Sequence, residues 1–112
     1  MVFVTSGLGS LSDASDPKSP YSQIVVPGYR SSKAALNMLM IWYSRTLGKE
    51  GLKVWGLCPG WVATNLGGDA EREKARGAGK PEDGAKVIVS VIEGRRDGEV
   101  GKVVFDGGVR EW

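Results

Sequence analysis

The chain has 112 residues, 41% hydrophobic and 25% charged, which suits one small globular domain with a modest core. Its formal net charge is only +2, and Arg95-Arg96 is flanked by Glu93 and Asp97, while Lys74 and Arg76 lie near Glu71 and Glu73; a nucleic-acid surface needs clustered basic residues, so none is expected. There is no histidine and one cysteine, Cys58, which argues against a zinc site and excludes an internal disulfide and any Ser-His-Asp or Cys-His triad within the chain.

Residues 1–5 form an apolar, β-branched run followed by Ser6-Gly7-Leu8-Gly9-Ser10, which reads as a buried strand ending in a loop. Residues 11–28 are rich in Ser, Asp, Pro and Gly, with Asp16-Pro17 and Ser19-Pro20. A long irregular loop is expected there, and such loops inside compact domains are often functional. A helix is expected over 29–47. Its apolar residues fall at Ala35, Met38, Leu39 and Trp42 but also at Ala34, Leu36, Met40 and Ile41, a stripe wider than one face that calls for cover on two sides. Gly48 is a plausible stop and Gly51 punctuates the turn.

Residues 53–58 read as a second buried strand, closed by Pro59-Gly60, and 67–79 as a polar, glycine-rich, mobile surface segment. Pro81-Glu82-Asp83 marks a helix start, with Pro in the first turn and acids at the positive end of the dipole. Ala85, Val87, Ile88, Val89, Val91 and Ile92 continue it to Gly94, and 101–105 form a third strand broken by Asp106-Gly107-Gly108. The order β-α-β-α-β implies an α/β fold with a parallel sheet and right-handed crossovers, the second half of a doubly wound sheet. No run approaches the ~20 apolar residues that span a bilayer, and no basic-then-apolar leader stands at the N-terminus. Neither a membrane anchor nor a signal peptide is expected, and a single cysteine fits a reducing, cytoplasmic compartment.

Tyr29 and Lys33 are four apart at the start of the long helix, so both side chains share a face. A free phenol, with a pKa of about 10, is a poor base at neutral pH, and a neighbouring ammonium favours its phenolate form. Such a pair can pass a proton to a carbonyl oxygen or take one from an alcohol. Ser6, at the end of the first strand, could donate a hydrogen bond to the same oxygen. Ser10 competes for that position, but Ser6 directly follows the strand; Tyr21 competes with Tyr29, but has Val25 four residues on instead of lysine. Pro59-Gly60 follows the second strand at the carboxyl edge, where ligands bind in parallel sheets, and its glycine permits close backbone approach.

Val4-Thr5-Ser6, Tyr29-Arg30-Ser31-Ser32-Lys33-Ala34-Ala35-Leu36-Asn37, Cys58-Pro59-Gly60-Trp61-Val62-Ala63-Thr64 and Phe105-Asp106-Gly107-Gly108, in this order, resemble the short-chain dehydrogenase/reductases, and within them the carbonyl-reductase-like members. The resemblance covers essentially the whole chain, aligned to the last half of a family member. It implies that residues 1–112 are the C-terminal part of an NAD(P)-binding Rossmann-type domain whose N-terminal cofactor-binding half is absent. It implies roles as well: Tyr29 as acid and base, Lys33 as its activator and a holder of the nicotinamide ribose, and Ser6 as the group that orients the substrate carbonyl. Pro59, Gly60 and Val62 would grip the nicotinamide carboxamide, and Thr64 the carboxamide or pyrophosphate region.

NADP or NAD is the implied cofactor, a small carbonyl or alcohol the substrate, and a homo-oligomer through helix 29–47 the expected assembly, with no nucleic-acid or membrane partner and no metal. The interval from Ser6 to Tyr29 is longer than the family usual, and the loop over 11–28 accounts for it. The glycine-rich cofactor turn of the family is missing; Ser6-Gly7-Leu8-Gly9-Ser10 lacks its third glycine. The family's Asn-Asn-Ala-Gly segment and its asparagine helix are missing too, and Asn37, inside the Tyr29 helix, does not fill that role. An isolated fragment of this kind is expected to be inactive; the alternative is a non-catalytic half-domain that binds an intact homologue.

Overall fold

Short β-branched runs alternate with two strongly periodic helical stretches, and the chain folds accordingly. The computed structural model describes residues 1–112. In chain order it contains strand β1 (Val2–Val4), a 3₁₀ turn (Gly7–Gly9), helices α1 (Leu11–Ser15) and α2 (Pro27–Leu47), and strand β2 (Trp55–Leu57). Helices α3 (Ala70–Ala75) and α4 (Pro81–Ile92) and strands β3 (Val103–Phe105) and β4 (Gly108–Arg110) follow. The sheet order is β1-β2-β3-β4. The first three strands run parallel, with Phe3 opposite Gly56 and Leu57 opposite Val104, as helical crossovers require.

β4 is an addition to the expected order. Asp106-Gly107 does more than end β3: it is a tight turn into an antiparallel partner, with Phe105 opposite Gly108. Glycine at 107 lets the Phe105 ring lie over the turn, since a Cβ there would stand 2.6 Å from it and push it aside.

Side-chain alternation along the strands sends the two long helices to opposite faces. Trp55, Leu57 and Val104 pack under Val87 and Val91 of α4. Val54, Cys58 and Val103 face the other way and pack with Met40 of α2, with Phe3, Tyr43 and Phe105 at the margin. α2 begins at Pro27 rather than at 29, because proline in the first helical turn loses no hydrogen bond that the helix would have made. Its expected cover exists on one side only. The sheet buries Asn37 and Met40, while Met38, Leu39 and Trp42 stay exposed, Trp42 to 59%.

The two segments expected to be irregular or mobile contain capped helices. Ser10 Oγ accepts the Asp13 N–H at 3.1 Å and starts α1 inside the 11–28 loop. Asp69 Oδ1 accepts the N–H groups of Glu71 and Arg72 at 2.9 and 3.2 Å and starts α3 inside 67–79. In each case the cap satisfies amides that a short helix would otherwise leave bare. No helix is long and apolar enough to cross a membrane, and no group of three or more His, Cys, Asp or Glu is placed to hold a metal ion.

One buried polar contact fastens α2 to the end of β1. The Thr5 hydroxyl donates to Asn37 Oδ1 at 2.6 Å, with both residues buried. Thr5→Val keeps the shape but strands the Asn37 carbonyl, and is expected to cost about 1–3 kcal/mol. Urea unfolding of the variant checks this, and an unchanged midpoint would count against the contact.

Candidate active site

Ser6 follows β1 and Pro59-Gly60 follows β2, each at the carboxyl end of its strand, and Lys33 of α2 reaches the Val4 carbonyl at the end of β1. After β1 the backbone stays extended through Ser6 (φ −153°, ψ 149°) and then enters the 3₁₀ turn. Ser6 Oγ accepts the Leu8 N–H at 3.1 Å, which uses a lone pair and leaves the hydroxyl proton available for donation. Gly9 lets the turn lie directly on α2: a Cβ at that position would meet the Lys33 carbonyl carbon at 2.9 Å and Lys33 Cβ at 3.0 Å. The Ser6 turn is therefore in van der Waals contact with the helix at Lys33.

Lys33 is half-buried and has no carboxylate partner. Its Nζ donates to the Val4 carbonyl at the end of β1 at 3.0 Å and lies 5.6 Å from the centre of the Tyr29 ring. One of its three N–H groups is used in this way, which leaves two for other acceptors. Tyr29 is partly exposed, in the first turn of α2.

The loop after β2 is tied to the Ser6 turn. Cys58 is buried; its N–H donates to the Val104 carbonyl at 2.8 Å, and its Sγ accepts the Gly7 N–H at 3.1 Å. Pro59 then leads to Gly60, which has a left-handed φ of +81° and open space where a Cβ would stand. Val62 pairs with Gly79 in an isolated parallel bridge, and the Ala63 N–H donates to the Gly79 carbonyl at 2.8 Å. Thr64 Oγ1 accepts the Leu66 N–H at 3.4 Å and starts a 3₁₀ turn. From the other face Gly84 of α4 abuts the loop, since a Cβ there would lie 3.0 Å from Pro59 Cβ and 3.1 Å from the Pro59 carbonyl oxygen.

The competing residues are engaged elsewhere. Ser10 is the buried cap of α1, and the Tyr21 hydroxyl accepts from Arg110 Nη2 at 3.0 Å. Asn37 holds Thr5. Two surface hollows include none of Ser6, Tyr29 and Lys33. One of about 360 Å³ lies among Lys86, Ser90, Arg95 and Arg96, and one of about 280 Å³ among Leu8, Leu11, Arg30 and Ala34.

Three contributors to the site escaped sequence reasoning. A lone glycine inside a helical pattern signals a packing reason, so Gly84 could have been noticed. Gly9 carried no signal apart from the turn composition. Glu73, nearly buried, accepts from Trp61 Nε1 at 2.9 Å and Arg76 Nη1 at 3.0 Å, and so ties α3 to the loop after Gly60; nothing in the spacing announced it.

A parallel sheet with helices on both faces and ligand-facing loops at its strand ends defines half of a Rossmann-type α/β domain. The chain belongs to the short-chain dehydrogenase/reductase family. It is 38% identical over 120 aligned residues to short-chain dehydrogenase/reductase tropE of Talaromyces stipitatus, covering 96% of this chain and 45% of that protein. It is 39% identical to short-chain dehydrogenase anuI of Penicillium roqueforti, covering 95% of this chain and 41% of that one. Among solved structures it matches NADPH-bound carbonyl reductase from chicken fatty liver with a TM-score of 0.77 and 26% identity, over 99% of this chain and 42% of that chain. The fold of carbonyl reductase Sniffer of D. melanogaster also matches, with a TM-score of 0.69, 24% identity and cover of 99% of this chain and 40% of that one. No protein-family model matches. The chain spans less than half the length of the curated relatives it matches.

Gly84→Ala sets two effects against each other. Alanine improves helix propensity by up to ~1 kcal/mol, but overpacking against Pro59 costs about 1–3 kcal/mol. A net loss of stability is expected in urea unfolding; a stabilised variant would mean that α4 does not press on the Pro59 loop.

Proposed function

We propose that the polypeptide carrying this chain is an oxidoreductase that transfers hydride between NADP or NAD and a small carbonyl or alcohol substrate. The observation that carries this reading is the Lys33 ammonium, which donates to the Val4 carbonyl at the end of β1 and lies 5.6 Å from the centre of the Tyr29 ring, on a helix whose backbone at Lys33 meets the turn after Ser6. The names of the relatives support it. In carbonyl reduction the Tyr29 hydroxyl gives its proton to the carbonyl oxygen, and in alcohol oxidation Tyr29 takes it back. Lys33 stands one turn along the same helix, its Nζ 5.6 Å from the centre of the Tyr29 ring. Ser6 donates a hydrogen bond to the same oxygen and fixes its position.

The residues present fit the nicotinamide end of such a cofactor. Gly60 leaves its side of the loop open for close approach, and Lys33 has two unused N–H groups for ribose hydroxyls. Pro59, Gly60 and Val62 would hold the carboxamide through their backbone, and Thr64 would add a hydroxyl beside it. Bound there, the cofactor supplies or accepts the hydride.

Residues 1–112 alone offer contacts to the nicotinamide side only, and the isolated chain is accordingly proposed to be inactive. The exposed Met38, Leu39 and Trp42 of α2 favour assembly through this helix, as a homo-oligomer of the whole protein. The same face favours the second reading, a non-catalytic half-domain that binds an intact homologue. A cytoplasmic location is proposed from the single, unpaired cysteine.

In the whole protein, Tyr29→Phe is expected to lower kcat by ~10²–10⁴-fold and to leave nicotinamide binding, read by fluorescence titration, nearly unchanged. Unchanged turnover would remove Tyr29 from the chemistry. Lys33→Ala is expected to weaken both turnover and cofactor affinity, and a variant normal in both would end the ribose assignment.

A further inference from the structure

Arg110, on β4, touches three separate parts of the chain: the loop at Tyr21, Phe105 of β3 and Asp13 of α1. Its guanidinium is only 19% exposed. Nη2 donates to the Tyr21 hydroxyl at 3.0 Å, and the group stacks 4.2 Å from the centre of the Phe105 ring and 5.0 Å from that of Tyr21. Nη1 lies 3.9 Å from Asp13 Oδ2 on α1. The same guanidinium sits so close to the Ser6 turn that a Cβ on Gly7 would be 3.3 Å from its Cζ. Two residues on, the Trp112 carbonyl oxygen accepts the Ser12 N–H at 2.6 Å, which fastens the end of the chain to the start of α1.

Tyr21 is held from both ends. Arg110 binds its hydroxyl, and Arg30 Nη1 donates to its carbonyl at 2.6 Å and to the Ile24 carbonyl at 3.2 Å. Between these anchors the loop presents Ile24, Val25 and Val26 at the surface and then enters α2 just ahead of Tyr29. The position of this apolar rim relative to Ser6 is thus set by a contact near the end of the sequence.

We propose that Arg110 is a positioning residue for substrate selectivity: through Tyr21 it fixes the 16–26 loop against the Ser6 turn and so sets how bulky a carbonyl compound can reach Tyr29. This rests on the function proposed above. A hydrogen bond to a charged partner in a half-buried setting is rigid in a way that loop composition alone is not, and Arg110 supplies it together with two aromatic stacking contacts.

The test uses Arg110→Lys and the gentler Tyr21→Phe in the whole protein. Hydrogen exchange reads the clamp without reference to activity. The Ser22 and Ile24 amides are expected to exchange roughly tenfold faster or more in both variants, while the Gly56 and Cys58 amides in the sheet keep their protection. Steady-state kinetics with a small aldehyde and a bulky aromatic ketone read selectivity. KM for the bulky ketone is expected to change several-fold, with the cofactor KM constant and a much smaller effect on kcat for the aldehyde. Unaltered loop exchange overturns the clamp. Faster loop exchange with an equal fall in kcat for both substrates overturns the selectivity role. If Tyr29→Phe retains full turnover, the proposed reaction fails, yet the exchange result still judges the clamp on its own.

Discussion

The placement of the Gly7–Gly9 turn on the backbone of α2 at Lys33 is the constraint on which the rest of the site depends. Without a side chain at Gly9 the turn sits flush with the helix, and the Thr5–Asn37 hydrogen bond keeps β1 and α2 in that register. The turn that follows Ser6 therefore meets α2 at Lys33. Close approach of this kind trades a glycine's lost entropy for precision of position.

From that contact the ordering spreads through polar ties instead of apolar packing. The Gly7 N–H reaches Cys58 Sγ, Trp61 reaches Glu73, and Tyr21 reaches Arg110. Each tie joins a loop to an element from a different part of the chain. The core itself is small, two clusters on the two sheet faces, and would not by itself hold loops as long as 16–26. Hydrogen bonds with one charged partner are among the stronger ones available at a half-buried surface, which suits them to this task.

The apolar surface that the chain leaves uncovered is as informative as the part it buries. Val2 and Val4 on β1 and Met38, Leu39 and Trp42 on α2 are exposed, and β1 has a paired neighbour on one side only. These residues mark the strand edge and helix face that this half of a Rossmann-type sheet leaves uncovered.

The sequence by itself determined the three parallel strands, the two long helices and the i, i+4 pairing of Tyr29 with Lys33, because these depend on local patterning that each segment carries within itself. Pro81 and its acids marked the start of α4 for the same reason. Short elements escaped: α1 and α3 owe their existence to single caps at Ser10 and Asp69 set in glycine- and serine-rich surroundings, and β4 is a strand only because β3 lies next to it. Only the tertiary structure decided that Tyr21 belongs to Arg110, that Cys58 receives the Gly7 amide, that Glu73 holds Trp61 and that Gly84 presses on Pro59. Those pairings join residues far apart in the chain, and no local propensity encodes a contact whose partners meet only after the sheet has brought its strand ends together.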